Sequence, residues 1–394
     1  MHESKSKNPD RLSPLQGVVV IDLTRVLAGP YLTMMLAEMG ARVIKVERPV
    51  VGDDARHFGP FVEGQSAYFA SINRGKESIA LDLKEVEDRE IFQKLVKKAD
   101  VLVENFKPGT MEKLGFGWQR LSQENTRLIY AAVSGFGHTG PYKTRPAYDL
   151  VAQAMGGIMS LTGHAGERPV RVGTSLGDIT AALFGLSGVL AALYDRGITG
   201  LGTKVDVAML DCQIAILENA IGRYFADGQI PGPIGMRHPS ITPFSGLQVQ
   251  HGEYLVLAVG NDNLFTRLCE LIDRKDLLSD KRYATNGSRT ENHESLYQEL
   301  ERALEKKSVA EWLELFKQNG IPSGPINNIE DVVKDPQVLS RNMVVTANGE
   351  QGLVFRMSGN PIKFSNYQDS DTRGAIPECD GDRATILKYL DDLS

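Results

Sequence analysis

From residue 18 to residue 209 short apolar runs alternate with longer amphipathic ones, and this alternation constrains the fold more than any other feature. Residues 18–22 read as a strand, and a helical pattern follows with Pro30 in its first turn and Gly40 just past its end. Residues 43–46 read as the next strand, closing a βαβ unit. The alternation continues with strands at 78–83, 101–104 and 128–133 and a helix at 86–98. Helical patterns at 149–161 and 178–194 then lead through a glycine-rich break to a last strand at 204–209. Strands separated by helices predict an α/β fold built on a mostly parallel sheet covered on both faces.

Beyond residue 228 the pattern changes. Residues 228–243 carry Pro231, Pro233, Pro239 and Pro243, which marks a linker. A hairpin turning at His251 and Gly252 follows, with helical patterns at 264–272, 293–304 and 309–318. This reads as a smaller α+β domain. The tail from Met343 has extended stretches and a last helix at 383–393 that is expected to return to the large domain. The expected division is therefore 1–220 with 325–394, and 221–324. A length of 394 residues suits two large domains.

A net charge of −6 argues against a polyanion-coating protein. Cys212, Cys269 and Cys379 are scattered and odd in number, which excludes a disulfide scaffold and a zinc ribbon and suits a reducing compartment. The seven histidines lack metal-ligand spacing, so no metal is expected. The start of the chain, residues 1–14, is polar without the apolar core of a signal peptide, so a cytoplasmic location is expected. The uncharged stretch 179–194 carries Gly185, Ser187 and Gly188, is short for a membrane span and reads as a buried helix.

Two motifs invite other readings. Residues 135–140 match the dinucleotide pattern GxGxxG, but Pro141 and Pro146 stand where the phosphate-binding helix has to begin. Residues 173–177 match the nucleophile-elbow pattern GxSxG, with strand-like 170–172 before it and a helix after. That leaves a serine esterase using Ser175 as a minority reading. Residues 73–78 hint at a phosphate loop, but Ala70 takes the place of its first glycine. Ser175 and Asp178 also form a capping-box pattern, and a structural cap is the favoured reading of Asp178 from spacing alone. Its alternative is a carboxylate nucleophile, ionised at neutral pH without a partner base. Arg42, Lys45, Arg48, Arg56, Arg74 and Lys76 gather around the second strand. They read by default as a solvated surface, and more sharply as a seat for an anionic ligand.

The runs Asp22-Leu23-Thr24-Arg25-Val26-Leu27-Ala28-Gly29-Pro30, Lys45-Val46-Glu47-Arg48-Pro49, Gly52-Asp53-Asp54, Glu104-Asn105-Phe106-Lys107-Pro108-Gly109, 134–141 and 172–178 together carry a specific resemblance. It extends from about residue 15 to residue 365, and the family it points to is the class III CoA-transferases of the CaiB/BaiF, formyl-CoA transferase type. The resemblance implies a large Rossmann-like domain completed by the C-terminal segment, a smaller domain and an interlocked homodimer. It makes Asp178 the catalytic nucleophile, working through aspartyl mixed-anhydride and aspartyl–CoA thioester intermediates. Coenzyme A thioesters are then substrates, and no permanently bound cofactor is implied.

By the same resemblance, CoA contacts fall on Val26, Ala28, Arg48, Leu81, Asn105, Phe106 and Lys113. Leu27, Phe58, Tyr68, Phe136 and Tyr148 form the acceptor pocket, and Gly260 with Asn261 a glycine loop that steadies an oxyanion. Runs at 109–116, 134–141, 169–176, 237–239, 260–262 and 359–363 are most similar to members that pass CoA to the dicarboxylate oxalate, with acetyl-CoA the favoured donor. Succinyl-CoA:dicarboxylate and formyl-CoA:oxalate transfer are the alternatives. Leu27 stands where formyl-CoA transferases carry glutamine, which disfavours formyl-CoA. Tyr148 stands where the related racemases place a catalytic histidine, which disfavours racemisation.

Overall fold

The computed structural model describes residues 13–392. Most of the polar start of the chain and Leu393 of the expected last helix lie outside the described residues. Six strands make the main sheet: β1 (Val19–Asp22), β2 (Arg42–Glu47), β3 (Glu77–Ala80), β4 (Val101–Glu104), β5 (Ile129–Ser134) and β6 (Lys204–Ala208). Every pairing is parallel, in the order β3-β2-β1-β4-β5-β6. Such a sheet needs cover on both faces, and β4 and β5 are accordingly buried at every residue.

Helices α1 (Ala28–Glu38), α2 (Val86–Lys98), α3 (Asp149–Met155) and α4 (Leu176–Thr199) supply much of that cover. Gly40, with φ +91°, ends α1 as its punctuation predicts. Two expectations fail here. The helix expected at 149–161 breaks after Met155, because Gly157 takes φ +90° and a short helix restarts at Ile158. The strand expected at 170–172 does not form. Val172 gives its N–H to the Gln153 side chain at 3.0 Å rather than to a neighbouring strand.

Two compact units divide the chain. The first comprises Met1–Met159, Arg171–Gly228 and Pro336–Ser394. The second comprises Ser160–Val170 and Gln229–Asp335, so it takes in a segment that the sequence reading placed in the large domain. In the second unit β7 (Phe244–Gln248), β8 (Tyr254–Ala258) and β9 (Ser323–Pro325) form an antiparallel sheet. The β7–β8 turn contains His251 and Gly252, both with positive φ. Helices α5 (Asp262–Leu271), α6 (His293–Leu304) and α7 (Val309–Gln318) bury Phe265, Leu300, Trp312 and Phe316 in the core of this unit.

The tail belongs to the first unit and contributes the hairpin β10 (Val344–Asn348) and β11 (Val354–Ser358), then helix α8 (Arg383–Asp391). Alternate strand residues feed two cores, as a period of two requires. Val20, Val101, Val103, Ile129 and Ala131 join residues of α1 and α4 on one face. Ile21, Leu102 and Tyr130 meet Phe92 and Leu95 of α2 and Ile386 and Leu390 of α8 on the other. The tail also covers the sheet edge: Ser78 and Ala80 of β3 donate their N–H groups to the carboxylates of Asp382 (2.8 Å) and Asp380 (2.7 Å).

At 24 residues, α4 is longer than expected and long and apolar enough to cross a membrane by length and composition. Here its inner face packs on α1, β5 and β6. Gly185 makes this possible, since a Cβ there would stand 2.5 Å from Leu32 of α1. Its outer face leaves Phe184, Tyr194 and Ile198 exposed.

Candidate active site

The strand order reverses between β1 and β4, and in open parallel sheets ligands bind at the carboxyl ends of strands beside such a reversal. Two cavities open at this point. One of about 400 Å³ runs along the ends of β1, β2 and β3, lined by Thr24, Glu47, Arg48, Asp53 and Leu81 among others. The other, of about 280 Å³, is lined by Val26, Leu27, Ala28, Asn105, Tyr148 and Asp178 among others. Arg25 and Phe106 line both, and the Arg25 guanidinium sits 5.1 Å from the Phe106 ring centroid.

The loop after β1 is held by buried charge. Asp22 accepts hydrogen bonds from the backbone and hydroxyl of Thr24, from Thr33 (2.7 Å) and from Lys76 (2.9 Å). Lys45 bridges the Thr24 carbonyl and the Asp53 carboxylate, each at 2.8 Å. Burial opposes the Asp22 charge, yet Lys76 and Lys45 together with these hydrogen bonds hold its carboxyl well below the usual range. Lys76, buried throughout, is pushed down to about 8, with Asp22 limiting the fall. The same frame keeps Val26 at φ +69°, a costly conformation for a β-branched residue. Its N–H is fixed by Asp53 Oδ1 at 3.0 Å.

Asp178 occupies the first turn of α4, and its carboxylate accepts no hydrogen bond among the described residues. The expected capping box does not form: Ser175 makes no side-chain cap. Asp149 of α3 takes that place, with its Oδ1 2.8 Å from the Gly177 nitrogen. A helix N-terminus favours an anion by about 0.3–1 kcal/mol, which is less than one pKa unit. Burial outweighs it and, with Asp149 nearby and Arg171 pulling the other way, pushes Asp178 up to about 7. The carboxylate is therefore only part ionised at neutral pH, unlike the freely ionised group expected from sequence. The Tyr68 hydroxyl, half-buried, is pushed up to about 12 by burial and then by Asp178.

The model of CoA-transferase family III matches residues 15–383. The chain belongs to that family. This transferase is 45% identical over 376 residues to acetyl-CoA:oxalate CoA-transferase of Acetobacter aceti, covering 95% of each chain. It is 40% identical to succinate–glutarate CoA-transferase of Agrobacterium fabrum, covering 98% of each. Among solved structures, a CaiB/BaiF family protein from Brucella suis superposes with a TM-score of 0.84 at 39% identity, over 96% of this chain and 100% of that one. Rv3272 from Mycobacterium tuberculosis gives 0.84 at 30% identity, over 95% and 99%.

In the transferase the residues expected from sequence divide between several places. Arg48, Leu81 and Phe106 line the larger cavity, while Val26, Leu27, Ala28, Asn105, Phe106 and Tyr148 share the smaller one with Asp178. Lys113 is exposed on a short helix between Thr110 and Leu114, which line the larger cavity without it. Phe136 is also absent from both walls, packing edge-on to Tyr142 with Arg145 over its ring. Phe58 and Tyr68 form an edge-to-face pair outside both linings. Gly260 and Asn261 lie in the second unit, where the Asn261 side chain caps α5 through the Leu264 N–H.

The basic cluster is not the solvated surface expected by default. Lys45, Arg74 and Lys76 are buried and paired with Asp22, Asp53 and Glu38, while Arg48 reaches the larger cavity bonded to Asp54 at 2.6 Å. Sequence reading also gave no site role to Arg145, or to Lys107 and Asp54 within its quoted runs, all on the smaller cavity's wall. Their signal was adjacency to the loops already singled out. Ser175 lacks the feeding strand that a nucleophile elbow requires, which removes the structural ground for the esterase reading.

Proposed function

We propose that the transferase moves CoA from acetyl-CoA to oxalate, giving oxalyl-CoA, with Asp178 as the nucleophile. The observation that carries this reading is the Asp178 carboxylate, unbonded and largely buried, lining a cavity that shares a wall with the larger one. Deprotonated, such a carboxylate is more basic than an ordinary aspartate and so a better nucleophile.

In the proposed sequence an Asp178 oxygen attacks the thioester carbonyl, and the C–S bond breaks to release CoA thiolate. The thiolate then attacks the aspartyl carbonyl of the mixed anhydride, freeing acetate and leaving an aspartyl–CoA thioester. Oxalate attacks that thioester, again releasing thiolate and forming an oxalyl–aspartyl anhydride. Attack of the thiolate on the oxalyl carbonyl gives oxalyl-CoA and restores Asp178. Each step exchanges one acyl bond for another, so the thioester's free energy is kept. Arg48 suits a CoA phosphate, and Phe106 offers its face to the adenine or the pantetheine arm.

Support for oxalate and acetyl-CoA comes from the Acetobacter relative at 45% identity. The Agrobacterium relative, at 40%, favours a second reading with a succinyl-CoA donor and a longer dicarboxylate. Acetyl-CoA, succinyl-CoA and formyl-CoA, each offered with oxalate and with glutarate, separate these readings when the new thioester is followed by mass spectrometry. Oxalyl-CoA from acetyl-CoA is expected. Its absence with every donor overturns the oxalate assignment. We also propose a homodimer, in which a second copy covers the exposed apolar flank of α4 around Phe184, Tyr194 and Ile198. A monomeric mass in solution overturns that part.

A further inference from the structure

We propose that Asp149 is a positioning residue for Asp178, fastening the first turn of α4 and the loop before it, and that Arg171 governs how much of its charge reaches Asp178. This rests on the reading of Asp178 as nucleophile and deepens it.

Asp149 opens α3, on a different element from Asp178, and both of its carboxylate oxygens are engaged. Oδ1 accepts the Gly177 N–H at 2.8 Å, filling the capping role that Ser175 leaves open. Oδ2 accepts from Gln153 Nε2 at 2.8 Å and lies 3.5 Å from an Arg171 nitrogen. Gln153, one turn further along α3, accepts the Val172 N–H at 3.0 Å and donates to the Thr174 carbonyl at 3.4 Å. The pair thus holds residues 172–177 in place of the missing strand. A Cβ on Gly177 would stand 3.0 Å from Asp149 Oδ1, so any side chain there would press on the capping carboxylate.

Such a mount does more than hold position. Any side chain with an accepting oxygen could cap Gly177, but a carboxylate also sets a negative charge beside the one that must form on Asp178. Repulsion between like charges raises proton affinity and with it the basicity of the nucleophile. Burial and then Asp149 raise the Asp178 pKa, while Arg171 lowers it. Arg171 touches Asp149 from the solvent side and is half exposed, so it can offset that repulsion in part. The other titratable groups facing this region are Tyr68 and, on the cavity wall, Arg25, Asp54, Lys107, Arg145 and Tyr148. Tyr68, pushed up to about 12 by burial and then by Asp178, stays protonated throughout the working range.

The test reads the Asp178 proton directly and requires no turnover. Coupling by a water-soluble carbodiimide and glycine methyl ester needs a protonated carboxyl, so labelling of the Asp178 peptide, followed by mass spectrometry from pH 4.5 to pH 8.5, gives its midpoint. Asp149→Asn, which keeps a capping oxygen, is expected to lower the midpoint by about one unit, and Arg171→Gln to raise it. The acid limb of kcat/KM should move with each. A midpoint unmoved in both variants overturns the proposal, even if melting temperatures fall, because a purely structural mount predicts that pattern. Should Asp149→Asn fail to fold, Arg171→Gln decides alone, a midpoint that stays put or falls counting against the proposal. If wild-type Asp178 titrates as expected but no transfer follows, the nucleophile reading fails and the positioning geometry stands.

Discussion

Asn105 grips the backbone of Arg25 on both sides, accepting its N–H at Oδ1 (2.9 Å) and donating from Nδ2 to its carbonyl (2.7 Å). The two loops that flank the reversal in strand order are thereby locked to each other, and both line the smaller cavity.

Asn105→Ala removes both bonds at once. At about 1 kcal/mol each, the loss is about 2 kcal/mol. It falls on loop placement rather than on chemistry, so KM for acyl-CoA should rise roughly 10- to 30-fold while kcat changes less. Initial-rate kinetics at several donor concentrations check this.

Asp178→Asn should abolish transfer and stabilise the protein at the same time. A carboxyl whose folded-state pKa is raised to about 7 binds more protons folded than unfolded between about pH 4 and pH 7. Its contribution to stability therefore declines as pH rises through that window, and the penalty is complete above it. The variant should be more stable than wild type by roughly 1–3 kcal/mol at pH 8 and equal to it at pH 4. Denaturant melts at the two pH values measure the difference.

Asp22→Asn leaves the ammonium groups of Lys45 and Lys76 buried without their shared counter-charge. Breaking a buried pair from one side costs about 3–5 kcal/mol. A folded yield far below wild type, or a denaturation midpoint lowered to match, is the expected outcome. Lys76→Met in the same background should recover part of the loss.

Ser175→Ala should keep most transferase activity, because the Ser175 hydroxyl caps nothing and meets an Arg171 nitrogen only at 3.5 Å. Loss of activity in this variant with retention in Asp178→Asn would reinstate the serine esterase.

Much of the first unit is legible in the sequence because its signals are local. Apolar runs four to six residues long, Pro30 and Gly40 state the β1–α1–β2 segment directly. The errors arise where a local pattern depends on a distant neighbour. Residues 170–172 have strand-forming side chains, but a strand needs a partner and Gln153 satisfies Val172 instead. Ser175 matches a capping signature, yet Asp149, from 28 residues away, holds the position. Lys45 and Lys76 look like surface charges until Asp22 and Asp53 are seen to bury with them. The Asp178 motif could be found by likeness; its altered proton affinity could not, since burial and Asp149 cause it.

The edge of the main sheet is sealed by residues made about 300 positions later, when Asp380 and Asp382 receive the N–H groups of Ala80 and Ser78. A chain that lacks residues 380–382 therefore leaves that side of the sheet bare. An unpaired strand edge recruits other chains, so a variant without those residues would keep every side chain lining the two cavities and yet stick to its neighbours. A stretch that touches neither cavity decides whether the sheet that holds them stays soluble.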